Sequence, residues 1–117
     1  MSMDLVVWTA CAITLPADLP ESTKWQNYGD SSWAYESSEW QVVVEPDPSR
    51  EGASAVLAIS PTFQTATVVV LEPLGANREG YAFLETVARS IGKRCGGGVI
   101  EGPTGLIRLN ADGKEVN

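Results

Sequence analysis

The alternation of apolar and polar positions along the 117-residue chain predicts several β-strands separated by short turns. Both alternating sets of positions are largely apolar across residues 5–14 and again across residues 65–72. This pattern is typical of strands that are buried on both faces of a sheet. Shorter apolar runs, bounded by Gly, Pro or polar residues, predict three further strands, over 54–59, 99–101 and 106–109.

A tight hairpin is predicted from the segments 33–36 and 39–45, with Ser37 and Ser38 as its turn. Three pairs then face each other across the strands: Glu36 with Glu39, Tyr35 with Trp40, and Trp33 with Val42. Alternation puts one set of side chains on a first face: Trp33, Tyr35, Trp40, Val42 and Val44. The opposite face carries the other set: Ala34, Glu36, Glu39, Gln41, Val43 and Glu45. Because Ser-Ser is not a preferred two-residue turn, a longer loop with a shifted register remains open.

One long amphipathic helix is predicted over residues 77–94. Asn77 is a suitable N-cap, and Glu79 in the first turn suits the positive end of the helix dipole. An apolar stripe recurs at helical spacing: Tyr81, Leu84, Val87, Ala88, Ile91 and Cys95. The glycines at 96–98 end this helix and do not precede one, so they do not resemble a phosphate-binding loop.

The order of these elements predicts a single domain over residues 1–117 in the α+β class. An antiparallel-dominated sheet would carry the long helix, about 77–94, on one of its faces. The polar segment 17–31 predicts at most one helical turn, and the polar tail 110–117 is expected to be loose.

The charge is strongly acidic and unevenly distributed. The formal net charge is −7, and residues 1–72 alone carry ten acidic and two basic side chains. An acidic surface repels nucleic acid and anionic lipid, so neither is expected as a partner. The same charge suits a basic protein partner, although many proteins are acidic merely to stay in solution.

The residues needed for common catalytic chemistry are missing. The chain has no histidine, which removes the commonest general base and the usual zinc ligands. Its carboxylates show no pairing that marks an acid–base couple. We therefore expect no enzymatic activity, no cofactor and no metal site.

Two cysteines, Cys11 and Cys95, lie in apolar stretches 84 positions apart. Without a recognisable secretory signal or membrane-spanning segment, they are interpreted as free core thiols in a reducing compartment. This interpretation predicts a cytoplasmic protein.

The hairpin is the most informative segment for binding, because aromatic side chains and carboxylates alternate along it. A direct Glu36–Glu39 pair would cost stability, and a partner with Lys or Arg would relieve that cost. The alternative is an ordinary edge hairpin, with aromatic residues in the core and charges that deter aggregation. The predicted partner-binding residues are the hairpin acids and their acidic neighbours: Asp30, Glu36, Glu39, Glu45 and Asp47.

Three stretches resemble the immunity proteins that bacteria encode beside polymorphic or contact-dependent-inhibition toxins. They are the opening strand 3–8, the hairpin segments 33–36 and 39–42, and the segment from 80 through the helix into 96–99 and the turn 103–105. The resemblance implies an inhibitor that binds one toxin domain and blocks its active site or substrate surface. The family has no fixed functional residues, so no residue role is carried over.

The function expected from these features is neutralisation of a cognate toxin, basic in charge and a candidate nuclease, by an acidic cytoplasmic protein. The alternative is an adaptor or assembly subunit of a secretion or phage system, which would bind its partner without inhibiting it. A third possibility, a small enzyme, would need a cleft carboxylic acid of raised pKa.

Overall fold

The structure, a computed structural model, describes residues 3–73 and 78–116. It contains seven β-strands, two α-helices and a short 3₁₀ helix over Ser22–Lys24. In chain order the elements are β1 (Met3–Thr9), β2 (Gln26–Asn27), β3 (Trp33–Glu36), β4 (Gln41–Pro46), α1 (Ser54–Ile59), β5 (Thr65–Glu72), α2 (Arg78–Arg94), β6 (Gly98–Gly102) and β7 (Gly105–Leu109).

The seven strands form one antiparallel sheet in the order β2-β3-β4-β5-β1-β6-β7. The long helix α2 packs on one face of this sheet, and the chain forms a compact α+β globule. The predicted fold class is therefore confirmed. The strand over 65–72 and the helix ending at 94 have the predicted bounds, while the expected N-cap Asn77 lies outside the described residues.

The main core lies between α2 and the sheet. Leu84, Val87 and Ile91 of the helix are fully buried against side chains of the central strands, such as Val7 and Val69. Burying an aliphatic side chain of this size contributes about 1.5–3 kcal/mol, so this contact is a dominant source of stability. β1 and β5 are buried on both faces as predicted, although β1 ends at Thr9 and not near residue 14.

A smaller core lies on the other face of the sheet. It includes a segment that was predicted as a strand and is a helix. Residues 54–59 form the helix α1, whose Val56 packs with Trp8, Val68 and Val99. An apolar run of six residues fits either a strand or a helix turn, because periodicity cannot separate the two at that length. The helix is so short that it covers only part of this face.

An aromatic cluster joins the hairpin to α2. Trp25, Tyr35, Trp40 and Phe83 have ring centroids between 4.4 and 6.0 Å apart. Aromatic pairs at these distances add attraction beyond their buried area. Trp25 also donates from its indole Nε1 to the carbonyl of Pro20, at 2.8 Å. The hairpin is thereby held with its aromatic face inward.

The end of the chain is more ordered than the sequence suggests. Gly96 and Gly97 adopt φ values of 75° and 123°, which confirms that glycines stop the helix. The tail predicted to be loose instead folds back on β7. The side-chain oxygen of Asn110 accepts hydrogen bonds from the backbone of Asp112 and Lys114. Polar composition alone did not reveal this local turn chemistry.

The interpretation of the cysteines as free core thiols is wrong. Cys11 and Cys95 form a disulfide, with their Cα atoms 5.6 Å apart. Cys11 is exposed and Cys95 is partly exposed, because the first follows the end of β1 and the second follows the end of α2. Arg94 pairs with Asp18 at 2.9 Å beside this bond. Apolar neighbours in the sequence do not place a cysteine in the core when the strand has already ended.

The length and hydropathy of the helices bear on whether either could span a membrane. Within residues 3–73 and 78–116, neither helix combines the length and the apolar character needed to cross a bilayer.

Reduction of the disulfide should lower the free energy of unfolding by about 2–5 kcal/mol, because the bond closes a loop with a sequence separation of 84 residues. Urea unfolding of the oxidised protein and of the Cys11→Ser/Cys95→Ser variant measures this difference. The single Cys11→Ser variant should match the double variant. Equal stability of the oxidised protein and the double variant would contradict the prediction.

Candidate functional site

The half of the sheet that α1 leaves uncovered is built from β3, β4 and β5. Strand pairing lines up Glu36, Gln41 and Glu72 in one row across these strands. The next row places Ala34, Val43 and Val70 side by side. Side chains in register on neighbouring strands share a face, as do those two positions apart on one strand. Both rows therefore lie on the face opposite α2.

We call this surface the acidic face and define it by Asp30, Glu36, Val43, Glu45, Val70 and Glu72. Val43 is buried and Val70 is partly buried, while Glu36 and Glu45 are exposed. An apolar centre is thus surrounded by carboxylates. An apolar centre with a polar rim is the usual composition of a protein-binding surface.

Two neighbouring depressions occupy this face. The first lies at the end of the hairpin, and its acidic members are Glu36, Glu39 and Glu72. Within the first row, the Gln41 amide Nε2 donates to Glu72 Oε2 at 2.9 Å. The second depression lies beneath the loop 28–32 and includes Asp30, Glu45 and, again, Glu72. Glu72 therefore belongs to both.

The electrostatic field of these depressions has one sign. No Lys or Arg lines either of them in the described part of the chain. The basic residues that flank the segment 28–46 in sequence are paired elsewhere, since Lys24 pairs with Glu21 at 3.0 Å and Arg50 pairs with Asp47 at 3.0 Å. Clustered charges of one sign attract a partner of the opposite sign and speed its association.

The hairpin register differs from the preferred prediction. Glu36 faces Gln41 and not Glu39, because residues 37–40 form a longer loop closed by a hydrogen bond from Ser37 N to Trp40 O at 2.8 Å. This shift moves the register by two positions, so both predicted faces are retained. The direct Glu36–Glu39 opposition is therefore wrong. Trp40 ends this loop and belongs to the aromatic cluster.

Four of the five predicted partner-binding residues lie at these depressions. Glu36 and Glu45 project from β3 and β4, Glu39 belongs to the hairpin loop, and Asp30 belongs to the loop before β3. Asp47 lies elsewhere, beyond the end of β4. It accepts hydrogen bonds from Arg50 Nε and Ser49 Oγ, and these bonds hold the pKa of Asp47 below its ordinary value. Its charge is thus largely compensated within the chain.

Sequence reasoning missed Glu72, Val70 and Tyr28. Glu72 and Val70 belong to β5, which begins at Thr65, well after β4 ends at Pro46, and meets the hairpin only through strand pairing. A carboxylate at the end of an otherwise apolar strand was the available signal for Glu72. Tyr28 is 56% exposed, and its position just before the hairpin and close to Asp30 was the available signal.

The site offers negative charge and two depressions. In the ranges 3–73 and 78–116, no group of three or more acidic or sulfur side chains is arranged to hold a metal ion. No family model, characterised protein or solved structure matches this chain. The function must therefore be argued from the acidic face itself.

Replacing Glu36 and Glu45 with Gln should leave the free energy of unfolding within about 0.5 kcal/mol of the parent value, as for surface positions without a structural role. Neither side chain has a hydrogen bond or ion pair in the described part of the chain. Chemical denaturation measures this. Leu71→Ala, a buried position on the opposite face, is the positive control and should cost about 2–5 kcal/mol. A loss of similar size in the Gln variants would show that these acids serve the fold.

Proposed function

We propose that this protein neutralises a toxin by binding it through the acidic face. The observation that carries the proposal is a solvent-open sheet face on which carboxylates surround an apolar centre and no basic side chain intervenes among the described residues. The cognate toxin domain would present Lys and Arg around its active site or substrate surface. Toxins that cleave nucleic acid suit this description, because their substrate is anionic.

Electrostatic complementarity supports a rapid and selective encounter. The chain has a net charge of −7, and the acidic face concentrates negative charge at one end of the sheet. Such a field raises the association rate and weakens as salt screens it. An inhibitor must bind its toxin before the toxin meets its substrate, so a fast association rate serves the proposed function directly.

The apolar centre supplies what charge alone does not. Exposed ion pairs add little net free energy, whereas excluding water from an apolar patch favours a lasting complex. Val70, which is partly buried, provides this patch with the buried Val43 beside it, and Tyr28 stands exposed at its border. A stable interface buries about 800 Å² on each partner, so the hairpin loop and the loop 28–32 would also take part.

The resemblance to toxin-immunity proteins supports inhibition in particular, since the face by itself supports only binding. An adaptor or assembly subunit would use the same surface and leave its partner active. We propose binding and not catalysis as the mode of action, because histidine is missing from the chain and the carboxylates stand on an open surface.

Charge reversal on the acidic face should impair neutralisation. In the Glu36→Lys/Glu45→Lys variant, we expect the association rate with the cognate toxin domain to fall at least about tenfold at low salt, because the steering field is reversed. Stopped-flow binding and an assay of toxin activity measure the two effects. The toxin is identified as the domain that co-purifies with this chain and is encoded beside it.

The matched control is Glu51→Lys/Asp112→Lys, which changes the net charge equally at exposed positions outside both depressions. The control should keep most of the association rate. If both variants lose rate equally, net charge and not the acidic face governs binding. If the complex forms and the toxin stays active, the adaptor function replaces inhibition.

The disulfide bears on the predicted location of the protein in the cell. The predicted cytoplasmic location relied on free thiols, and disulfides are rare in the cytoplasm. The cytoplasmic location stays a prediction, and the disulfide counts against it. If the protein instead resides in an oxidising compartment, it would bind the toxin outside the cytoplasm.

Alkylation of protein taken from acid-quenched cells of the native host tests the compartment. We expect neither Cys11 nor Cys95 to react before reduction and both to react after it, because the structure pairs them. The mass of the intact protein reports the number of labels. Two labels before reduction would show a reduced pair and would restore the cytoplasmic location.

A further inference from the structure

The second depression of the acidic face has features that carboxylates alone do not explain. We call it the notch and define it by Tyr28, Asp30, Ser32, Val43, Glu45, Val70 and Glu72. Its floor is the apolar pair Val43 and Val70, which lie side by side on β4 and β5. Its rim carries three carboxylates from three separate segments of the chain. Its overhang is the loop 28–32, between β2 and β3.

The overhanging loop is held in place by its own backbone. Tyr28 N donates to Ser32 O at 2.9 Å, which closes the loop between the paired residues Asn27 and Trp33. The loop also brings Gly29 close to the Ser32 hydroxyl, since a Cβ at position 29 would stand 2.8 Å from Ser32 Oγ. The notch is therefore largely formed in the free protein, which reduces the entropy lost on binding.

Two side chains in this loop, those of Tyr28 and Ser32, make no hydrogen bond or ion pair within the described part of the chain. Tyr28 is 56% exposed at the mouth of the notch. Ser32 lines the notch and is only 6% exposed, yet its hydroxyl makes no hydrogen bond with any described residue. No fully buried side-chain oxygen among the described residues lacks a hydrogen-bond partner, so this hydroxyl reaches the solvent of the notch. Tyr28 and Ser32 can therefore both contact a ligand that combines a flat face with a hydrogen-bonding group.

We propose that the notch binds a single arginine side chain of the partner. The aliphatic stem would lie on Val43 and Val70, as long basic side chains do when they cover an apolar surface. The guanidinium would reach the carboxylates of Glu45 and Glu72, with the Tyr28 ring as an aromatic wall. Its remaining N–H groups would donate to the Ser32 hydroxyl.

Arginine fits this notch better than lysine or a metal ion. A guanidinium is planar, weakly hydrated and carries five donors, so it can meet an aromatic ring and carboxylates from several segments together. An ammonium is compact and strongly hydrated, and it would lose more hydration over an apolar floor. A divalent cation needs converging oxygen ligands, and the described residues form no such group.

This inference rests on the proposed function for the source of the arginine, which is a basic toxin domain. It deepens that function by assigning one anchoring contact within the acidic face. A buried arginine anchored by an aromatic residue is a frequent centre of binding energy in protein interfaces. The inference can nevertheless be tested without any toxin.

The test is an NMR titration of the ¹⁵N-labelled full chain with N-acetyl-arginine amide. We expect saturable shifts confined to the amides of 28–32, 43–45 and 70–72. The citrulline analogue, which has nearly the same shape without the charge, should produce no saturable shift. The lysine analogue should bind several-fold more weakly. Equal shifts with citrulline or lysine, or shifts spread over all the acidic residues, would overturn the proposal.

Variants of Tyr28 make the test residue-specific. Tyr28→Ala should weaken arginine binding about two- to fivefold, the size of a cation–π contact at an exposed site, whereas Tyr28→Phe should retain it. The exposed position of Tyr28 should leave the fold intact, which the dispersion of the free spectrum verifies. Unchanged affinity in Tyr28→Ala would remove the aromatic wall from the proposal and overturn the assigned geometry.

The two proposals fail separately. Arginine binding in the notch, combined with no neutralisation of the cognate toxin, would reject the proposed function and leave the arginine site in place. Neutralisation without arginine binding in the notch would reject the arginine site and leave the proposed function in place.

Discussion

The packing of α2 on one face of the sheet is the contact on which the other features depend. Leu84, Val87 and Ile91 are fully buried against one face of the central strands. The opposite face must then be covered by whatever chain remains, and α1 is only six residues long. It shields the region around Trp8 and leaves the carboxylates of β3, β4 and the end of β5 accessible to solvent, while Ala34 and Val43 on the same face stay buried. The acidic face exists because one helix is long and the other is short.

The aromatic cluster determines which side of the hairpin reaches solvent. Trp25, Tyr35, Trp40 and Phe83 hold the hairpin against α2. Because alternate side chains of a strand point to opposite faces, an inward aromatic set requires an outward acidic set. The interpretation as an ordinary edge hairpin and the interpretation as a binding surface are therefore compatible. The same alternation buries the aromatic residues and exposes the carboxylates.

Local periodicity predicted most of the elements, and its failures share a cause. The strand 65–72 and the helix to residue 94 are long enough for their period to be unambiguous. The segment 54–59 is too short, and its helical form follows from the way Val56 packs on the sheet. The prediction of free thiols failed for a different reason. Nothing near Cys11 or Cys95 in sequence reveals that the end of β1 and the end of α2 meet in space.

The sequence by itself determined which hairpin side chains share a face, because alternation is a local property that survives a register shift of two positions. It also determined the negative charge and the missing histidine. Only the tertiary structure decided which of these acids lie together. Strand pairing brought Glu72 and Val70 beside the hairpin, while the Arg50 contact removed Asp47 from the set. Pairing between distant strands is set by how helices and sheet exclude water together, and no local pattern records it.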